Sequence, residues 1–376
     1  MPRKSKNAPK SATAITPNTT VQGLTPEEKE EVLFSFIDNR LFGAMIPQPG
    51  KDSFFADFQS IYTGAIQVLP SICPHPIVIE ATQVTSPFKD RQAEPTATKE
   101  ERDNEEEEKD ENSETQGKLS GGMGFRYTVP YALYVGGGSY NAMRGKSCRT
   151  QDHDLELFDE GAKFGPIFGR SATKTWVQHI VYIHFEYTDG SDGGWRDLLR
   201  HVKMTVENKE SENTVDPSAP YTSADVQLDV DGLIAFLKKP DNEISRVSYY
   251  IPDYAAEVYA GLAALKKQLA TMPGFETYKD CRLRNQEYLW ITEVRHSSAN
   301  GDPALDNQPR MFSNSHGYYT PERFKRWVRE YLGATGEKIF VSRKELALAP
   351  KKASQHLIKK MNEAFPDGSG NGLIGK

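Results

Sequence analysis

The chain has 376 residues, 37% of them hydrophobic and 26% charged, with a formal net charge of −6. That length supports a sizeable core in one large domain or two small ones. No apolar run approaches the roughly 20 residues of a bilayer span, and the basic, polar opening MPRKSKNAPKSATAITPNTT lacks the apolar stretch of a secretory signal, so the sequence predicts neither a membrane nor a secreted protein. Cys73, Cys148 and Cys281 are odd in number, widely spaced and without zinc-ligand spacing, which fits a reducing cytoplasm.

The net charge hides two opposed segments. Glu100 to Glu114 carries ten acidic and two basic residues, and without it the rest of the chain stands at +2. Arg282 to Lys360 carries fifteen Lys/Arg against eight Asp/Glu. A concentrated positive surface is the minimum that phosphate binding requires, although a solvated face has the same composition.

In chain order, residues 1–24 read as a flexible basic tail. Thr25 caps a short helix opening at Pro26. FFADFQSIYTGAIQVL, residues 54–69, reads largely as strand, and Ile77 to Val84, β-branched and bounded by prolines, as another. Residues 89–120 are acidic and nearly free of large apolar groups, so they are expected to be disordered. RYTVPYALYV has strand character after the glycines at 121, 122 and 124. A helix begins at Asp152 or His153 and runs to about Phe164.

Thr175 to Tyr187 is the clearest strand. Val177, His179, Val181, Ile183, Phe185 and Tyr187 fall on one face, and Trp176, Ile180, Tyr182 and His184 on the other. Apolar groups on both faces predict a central, doubly covered position. Short elements follow at 196–204 and 224–237, then an Ala/Leu/Lys-rich helix from Tyr254 to Leu269 ended by Pro273-Gly274. Tyr288 to Val294 reads as strand. Thr320 as N-cap and Pro321 at the first helical position open a helix that Gly333 stops. Its core stripe is Phe324, Trp327, Val328, Tyr331 and Leu332, which leaves Arg323, Lys325, Arg326 and Arg329 on exposed faces. A further helix is expected over Lys351 to Lys360, and residues 346–376 read as a C-terminal tail. Strands and helices without strict alternation predict an α+β fold.

No enzyme motif is present. GGGSYNAMRGKSC fails as a phosphate loop because the required glycine is Tyr140, so it reads as a glycine-rich turn after a strand. His179 and His184 are expected on opposite faces and are poor co-ligands. Asn300, Gly301, Asp302 and Asp306 fit a turn, with hydrolysis by Asp302 or Asp306 as the alternative. No catalytic residue, metal or cofactor is assigned.

Two blocks carry a resemblance. LRNQEYLWITEVRHSSANGDPALDNQPR followed by TPERFKRWVREYL resembles the opening strand, loop and first helix of the crRNA-binding backbone subunits of type I CRISPR effector complexes. These belong to the RAMP superfamily, and the likeness is greatest to the type I-B, DevR-like branch. FIDNRLFGAMIP, IEATQVTSPF, GGMGFRYTVPYALYVGGGSYNAM and FGRSATKTWVQHIVYIHFEY resemble the body of that family. The likeness covers most of residues 31–345 with the two blocks exchanged, as in a circular permutation.

The resemblance implies a ferredoxin-like (RRM-like) palm over 25–345, a β-hairpin thumb around the acidic insertion, and a relocated first block at 284–345. It implies a non-catalytic subunit that polymerises along guide RNA beside other Cascade subunits and presents the guide to target DNA. A recruited nuclease or transposition proteins would complete the system. The matching positions for RNA are Arg40, Arg170, Lys174, Arg323, Lys325, Arg326 and Arg329, with Met123 as a thumb wedge and Asn300 and Gly301 in a loop beside the strand. For Arg40, Arg170 and Lys174 a loop ion pair is the simpler alternative. The rival functions are a RAMP ribonuclease and a free-standing RRM-like regulator.

Overall fold

The computed structural model describes residues 30–31, 33–45, 61–86, 122–188, 197–207 and 218–340. The predicted tails, the acidic insertion, the helix opening at Pro26 and the helix at Lys351 to Lys360 lie outside these residues.

In chain order the elements are α1 (Ile37–Phe42), β1 (Gly43–Met45), β2 (Ile61–Thr63), β3 (Ile66–Val68), β4 (Ser71–Pro76), β5 (Glu80–Ser86), β6 (Gly122–Tyr140), α2 (Ala142–Ser147) and α3 (Asp152–Phe168). There follow β7 (Val177–Tyr187), β8 (Lys203–Val206), β9 (Val226–Asp229), α4 (Asp231–Leu237), β10 (Ile244–Tyr250), α5 (Asp253–Val258) and α6 (Ala260–Leu269). Last come β11 (Gln286–Ser297), β12 (Gly301–Asp302), β13 (Gln308–Pro309), β14 (His316–Tyr319) and α7 (Pro321–Ala334). The fold is mixed α+β around one mainly antiparallel sheet.

That sheet runs β10-β7-β11-β6-β4-β14, with β3 and β5 also paired to β6. β11 lies between β7 and β6 and is antiparallel to both. It is central because both of its faces are apolar. Tyr288, Trp290 and Val294 join a core with Phe158 of α3 and Phe324, Trp327 and Val328 of α7. Leu289 and Ile291 join a second core with Leu233 of α4 and Leu262 and Leu265 of α6. Thus α3 and α7 cover one face, and α4 to α6 cover the other. The Trp290 indole stacks on Phe324 at 4.1 Å between ring centroids.

Glycines set how closely these layers approach. A Cβ on Gly165 of α3 would lie 2.8 Å from the Trp327 backbone of α7, so that crossing needs a residue without one. Gly136 lies under the Trp290 indole, whose Nε1 donates to Ser71 Oγ at 3.0 Å. Gly136, Gly137 and Gly138 are therefore strand residues of β6, not the predicted turn.

Four further expectations change. Of the strand predicted at Ile77 to Val84 only residues 80–84 are strand, the start of β5, and residues 77–79 are a connection from β4, which ends at Pro76. The helix predicted over Tyr254 to Leu269 is two, because Tyr259 has extended φ,ψ and turns its ring inward to bond Tyr131. β10 was not foreseen. A bulge opposite Ile291 and Thr292 shifts the register of β7 between His179 and Val181. Ile180 and Val181 then both enter the second core, and His179 and His184 share the α3–α7 face instead of lying on opposite faces.

Candidate nucleic-acid interface

The basic helix α7 starts as its cap predicts, with the Thr320 side chain accepting from Arg323 N. Phe324, Trp327, Val328 and Leu332 are buried, whereas Tyr331 is half-exposed and donates to Glu160 at 3.2 Å. The four cations are not the free outer face that the sequence predicted. Arg323 is 8% exposed, lies over the Trp327 ring at 4.6 Å, and donates its Nε to the Ala299 carbonyl at 3.0 Å. Burial, with Arg326 as a second cause, lowers its guanidinium to about 10. Lys325 and Arg329 both lie over the Phe42 ring of α1, at 5.7 and 5.1 Å. Burial lowers the Lys325 ammonium as well. Arg329 also donates to buried Asp38 at 3.0 Å, and Arg326 to Glu330 at 2.6 Å. The stripe argument failed here because long cations lay their stems, and here their heads, over aromatic rings.

Arg323 nevertheless has no carboxylate partner among the described residues. Beside it are buried donors in the same condition. Trp327 Nε1 and Ser298 Oγ find no hydrogen-bond partner among the described residues. Ser298 N donates to the Thr173 carbonyl at 2.8 Å, and a Cβ on Gly169 would touch Trp327. The loop that carries Arg170 and Lys174 is thus tied to the same end of α3 and α7. Arg170 is exposed and Lys174 half-buried. One end of the helical layer therefore gathers a guanidinium in no ion pair among the described residues, two donors without partners there and a basic loop. Such a place suits an oxyanion, since unsatisfied buried donors are costly until something accepts from them.

The other predicted positions sit elsewhere. Arg40 holds Asp154 with two bonds of 2.7 Å and also donates to the Phe34 and Ser35 carbonyls. This ties α1 to α3, so the ion-pair alternative describes it. Met123 lies in β6 opposite Thr85 of β5, within a paired hairpin and not in a loop. On that hairpin Phe125 is 61% exposed and lies 6.3 Å from Tyr127, a surface aromatic pair that sequence reasoning passed over. The alternation of Phe125 and Tyr127 along a strand could have signalled it.

The 300–310 loop is a turn. Gly301 pairs with Pro309, and Asn300 O accepts from Arg310 N at 3.1 Å. Asp302 accepts from Ala304 N at 3.1 Å and faces Arg310 at 3.4 Å, so its carboxylate is committed to the loop. Among the described residues no cluster of three His, Cys, Asp or Glu is placed to hold a metal. His179 is caged by Trp290, Phe324 and Trp327, and burial lowers it to about 3. His184 lies 3.1 Å from Asp159, which also accepts from Tyr182 and Tyr278 at 2.6 and 2.5 Å.

The sequence model of CRISPR-associated protein Cas7 matches residues 3–231 and 284–368, well over half of the chain. The chain belongs to the Cas7 family. Membership makes it a CRISPR effector protein of the class whose members serve as crRNA-binding backbone subunits. No curated protein matches the chain. The two Cas7 segments contain β6, β7, β11, α3 and α7, and so both sides of the basic end described above. The gap between them holds the edge strand β10 and, with most of α4, the helices α5 and α6 that cover the opposite face of the sheet.

Proposed function

We propose that this Cas7-family protein is a non-catalytic backbone subunit that holds guide RNA at the shared end of α3 and α7. The observation that carries this reading is Arg323, a buried guanidinium with no carboxylate partner among the described residues, set beside the idle donors of Trp327 and Ser298. An RNA phosphate supplies the missing acceptor, and Arg170, Lys174 and the half-exposed Arg326 extend the binding surface along the strand. The Phe125–Tyr127 hairpin face and Met123 provide apolar groups against which bases are displaced.

The finer reading follows the sequence resemblance. The subunit belongs to a type I-B complex, polymerises along one guide in the cytoplasm, and presents the bases to target DNA, so the RNA rather than the protein reads sequence. Other Cascade subunits and a recruited nuclease or transposition proteins act beside it. The sheet order β7-β11-β6-β4 with α3 and α7 on one face supports a ferredoxin-like palm. In that palm β11 and α7 are the first strand and first helix, relocated behind the rest by circular permutation. Purified protein incubated with labelled RNA and a divalent cation tests scaffold against enzyme. We expect RNA to be bound and recovered intact. Cleavage abolished by Asp302→Ala would overturn the non-catalytic assignment.

A further inference from the structure

Trp176 stands just before β7 and beside the end of β11, and 39% of it is exposed. Each of its polar atoms is bonded. Its backbone N donates to Ser297 Oγ at 3.0 Å, its carbonyl accepts from Arg295 N at 3.1 Å, and its Nε1 donates to Glu293 Oε2 at 3.1 Å. Glu293 is fully buried and also accepts from Arg295 at 2.8 Å and from Tyr131 at 2.9 Å. The Arg295 guanidinium in turn lies over the indole at 5.0 Å. The ring is thus locked in place, and what it shows to solvent is carbon surface.

The bond to Glu293 explains the indole N–H but not the exposed ring. Exposed apolar residues are ordinary when they stand singly, and Phe164, Phe168 and Phe312 are exposed as well. Those three rings lie against Tyr250, Tyr331 and Tyr318. What lies over Trp176 is a cation, and its surroundings are basic. The loop that leads to it carries Arg170 and Lys174. That loop follows the end of β11, where Ser298 N donates to the Thr173 carbonyl at 2.8 Å and Thr175 Oγ1 lies 3.2 Å from Ser297 Oγ. The next residue along β11, Ala299, is the one whose carbonyl accepts from Arg323. Tyr131 belongs to the second core, so the loop rounds the end of the sheet, with Arg323 on one face and the indole toward the other. On the far side, Glu80 of the β5–β6 hairpin comes within 4.0 Å of His296. His296 is exposed and holds φ +41°, backbone strain of the kind that persists at ligand clamps.

We propose that Trp176 is a base-stacking residue, on which one nucleobase of the guide RNA lies while its phosphates stay with Arg323, Arg170 and Lys174. This deepens the functional reading and rests on RNA being held at the α7 end. A base is favoured over an apolar protein segment because a base arrives with a phosphate for the neighbouring cations. Every base has a π face, so the contact selects no sequence. Glu293 fixes the edge of the indole and Arg295 backs the ring, which removes the cost of ordering it when RNA binds.

The test measures affinity for a short oligouridine across a salt series, with the full-length protein and its variants Trp176→Gln and Trp176→Phe. Gln carries an N–H for Glu293 but no ring, whereas Phe carries a ring but no N–H. We expect Trp176→Gln to bind more weakly by about 5- to 150-fold, the range for one base stacked on an aromatic ring. Its salt slope should match the parent's, because no phosphate contact is removed. Trp176→Phe should recover most of the lost affinity. A purely structural role orders the two variants the other way. Oligouridine should also quench tryptophan emission of the unvaried protein, and most of that quenching should be missing in Trp176→Phe, since Trp290 and Trp327 are buried. This second readout stands even where Trp176→Gln fails to fold. Parental affinity in Trp176→Gln, a Phe variant as weak as the Gln variant, or equal quenching in the parent and Trp176→Phe overturns the inference. Weaker self-association with unchanged RNA affinity also overturns it, and assigns the ring to a contact between copies. In each of these outcomes the parent still binds RNA. A parent that binds no RNA overturns the functional reading, and the stacking role with it.

Discussion

Single residues separate what this protein uses for itself from what it offers to a ligand. Arg40 and Arg329 are spent on Asp154 and Asp38. Arg323 is buried with no carboxylate partner among the described residues, and that contrast was not legible in the sequence. Helical spacing gives a face, but cannot say whether a guanidinium folds back over an adjacent tryptophan. Buried acids behave oppositely to one another. Burial raises Asp38 despite Arg329. Burial would also raise Asp159, but His184, Lys163 and the Tyr182 hydroxyl hold it well below the usual carboxylate range. A depressed folded value means that the stability from Asp159 is fully present above its unfolded pKa of about 4. It is lost as pH falls through the folded value. Glu186, lowered by Arg246 and Arg284 against the opposing effect of burial, acts with the same sign. Urea unfolding followed from pH 7 downward should therefore show a falling midpoint below about pH 4. Asp159→Asn should start less stable and show a shallower acid limb. An acid limb identical to that of the unvaried protein would remove Asp159 from the pH dependence.

Among the elements, long and strongly patterned ones were legible. β7, β11 and α7 appear close to where alternation, β-branching and the Thr320-Pro321 cap put them. What escaped was set by tertiary packing. The β7 bulge, the inward turn of Tyr259 and the strand made of Gly136 to Gly138 each answer to a neighbouring element, and local sequence does not record it. The α3–α7 crossing gives a paired prediction. Gly165→Ala places a methyl 2.8 Å from the Trp327 backbone, and should cost about 1–3 kcal/mol by overpacking. It should also weaken RNA binding by moving α7. In α7 itself the nearest atom to a Cβ on Gly333 is 3.6 Å away, so Gly333→Ala should stabilise by about 0.5–1 kcal/mol. Denaturant unfolding of both variants checks the pair, and equal effects would contradict the packing account.

For the molecule as a whole, the defining feature is a chain that brings its late strand β11 to the centre of a sheet begun much earlier. The sequence indicated this through resemblance and through apolar groups on both sides of Leu289 to Val294. It did not indicate the edge strand β10, nor the break between α5 and α6 in the layer that covers the other face. If β11 closes its own palm, the Ile291 and Val294 amides should be strongly protected from exchange in a verified monomer. Rapid exchange there would mean that β11 completes a neighbouring copy. The α7 end makes the largest claim, that it holds RNA by its phosphates. The most direct test measures affinity for labelled guide RNA across a salt series, for the unvaried protein and for Arg170→Ala/Arg326→Ala. Neither residue is in the core, so the variant should fold as the parent does. The account predicts weaker binding for every RNA sequence and a salt slope smaller by about 1.4, two single-strand phosphates. An unchanged affinity and slope in the folded variant would contradict it.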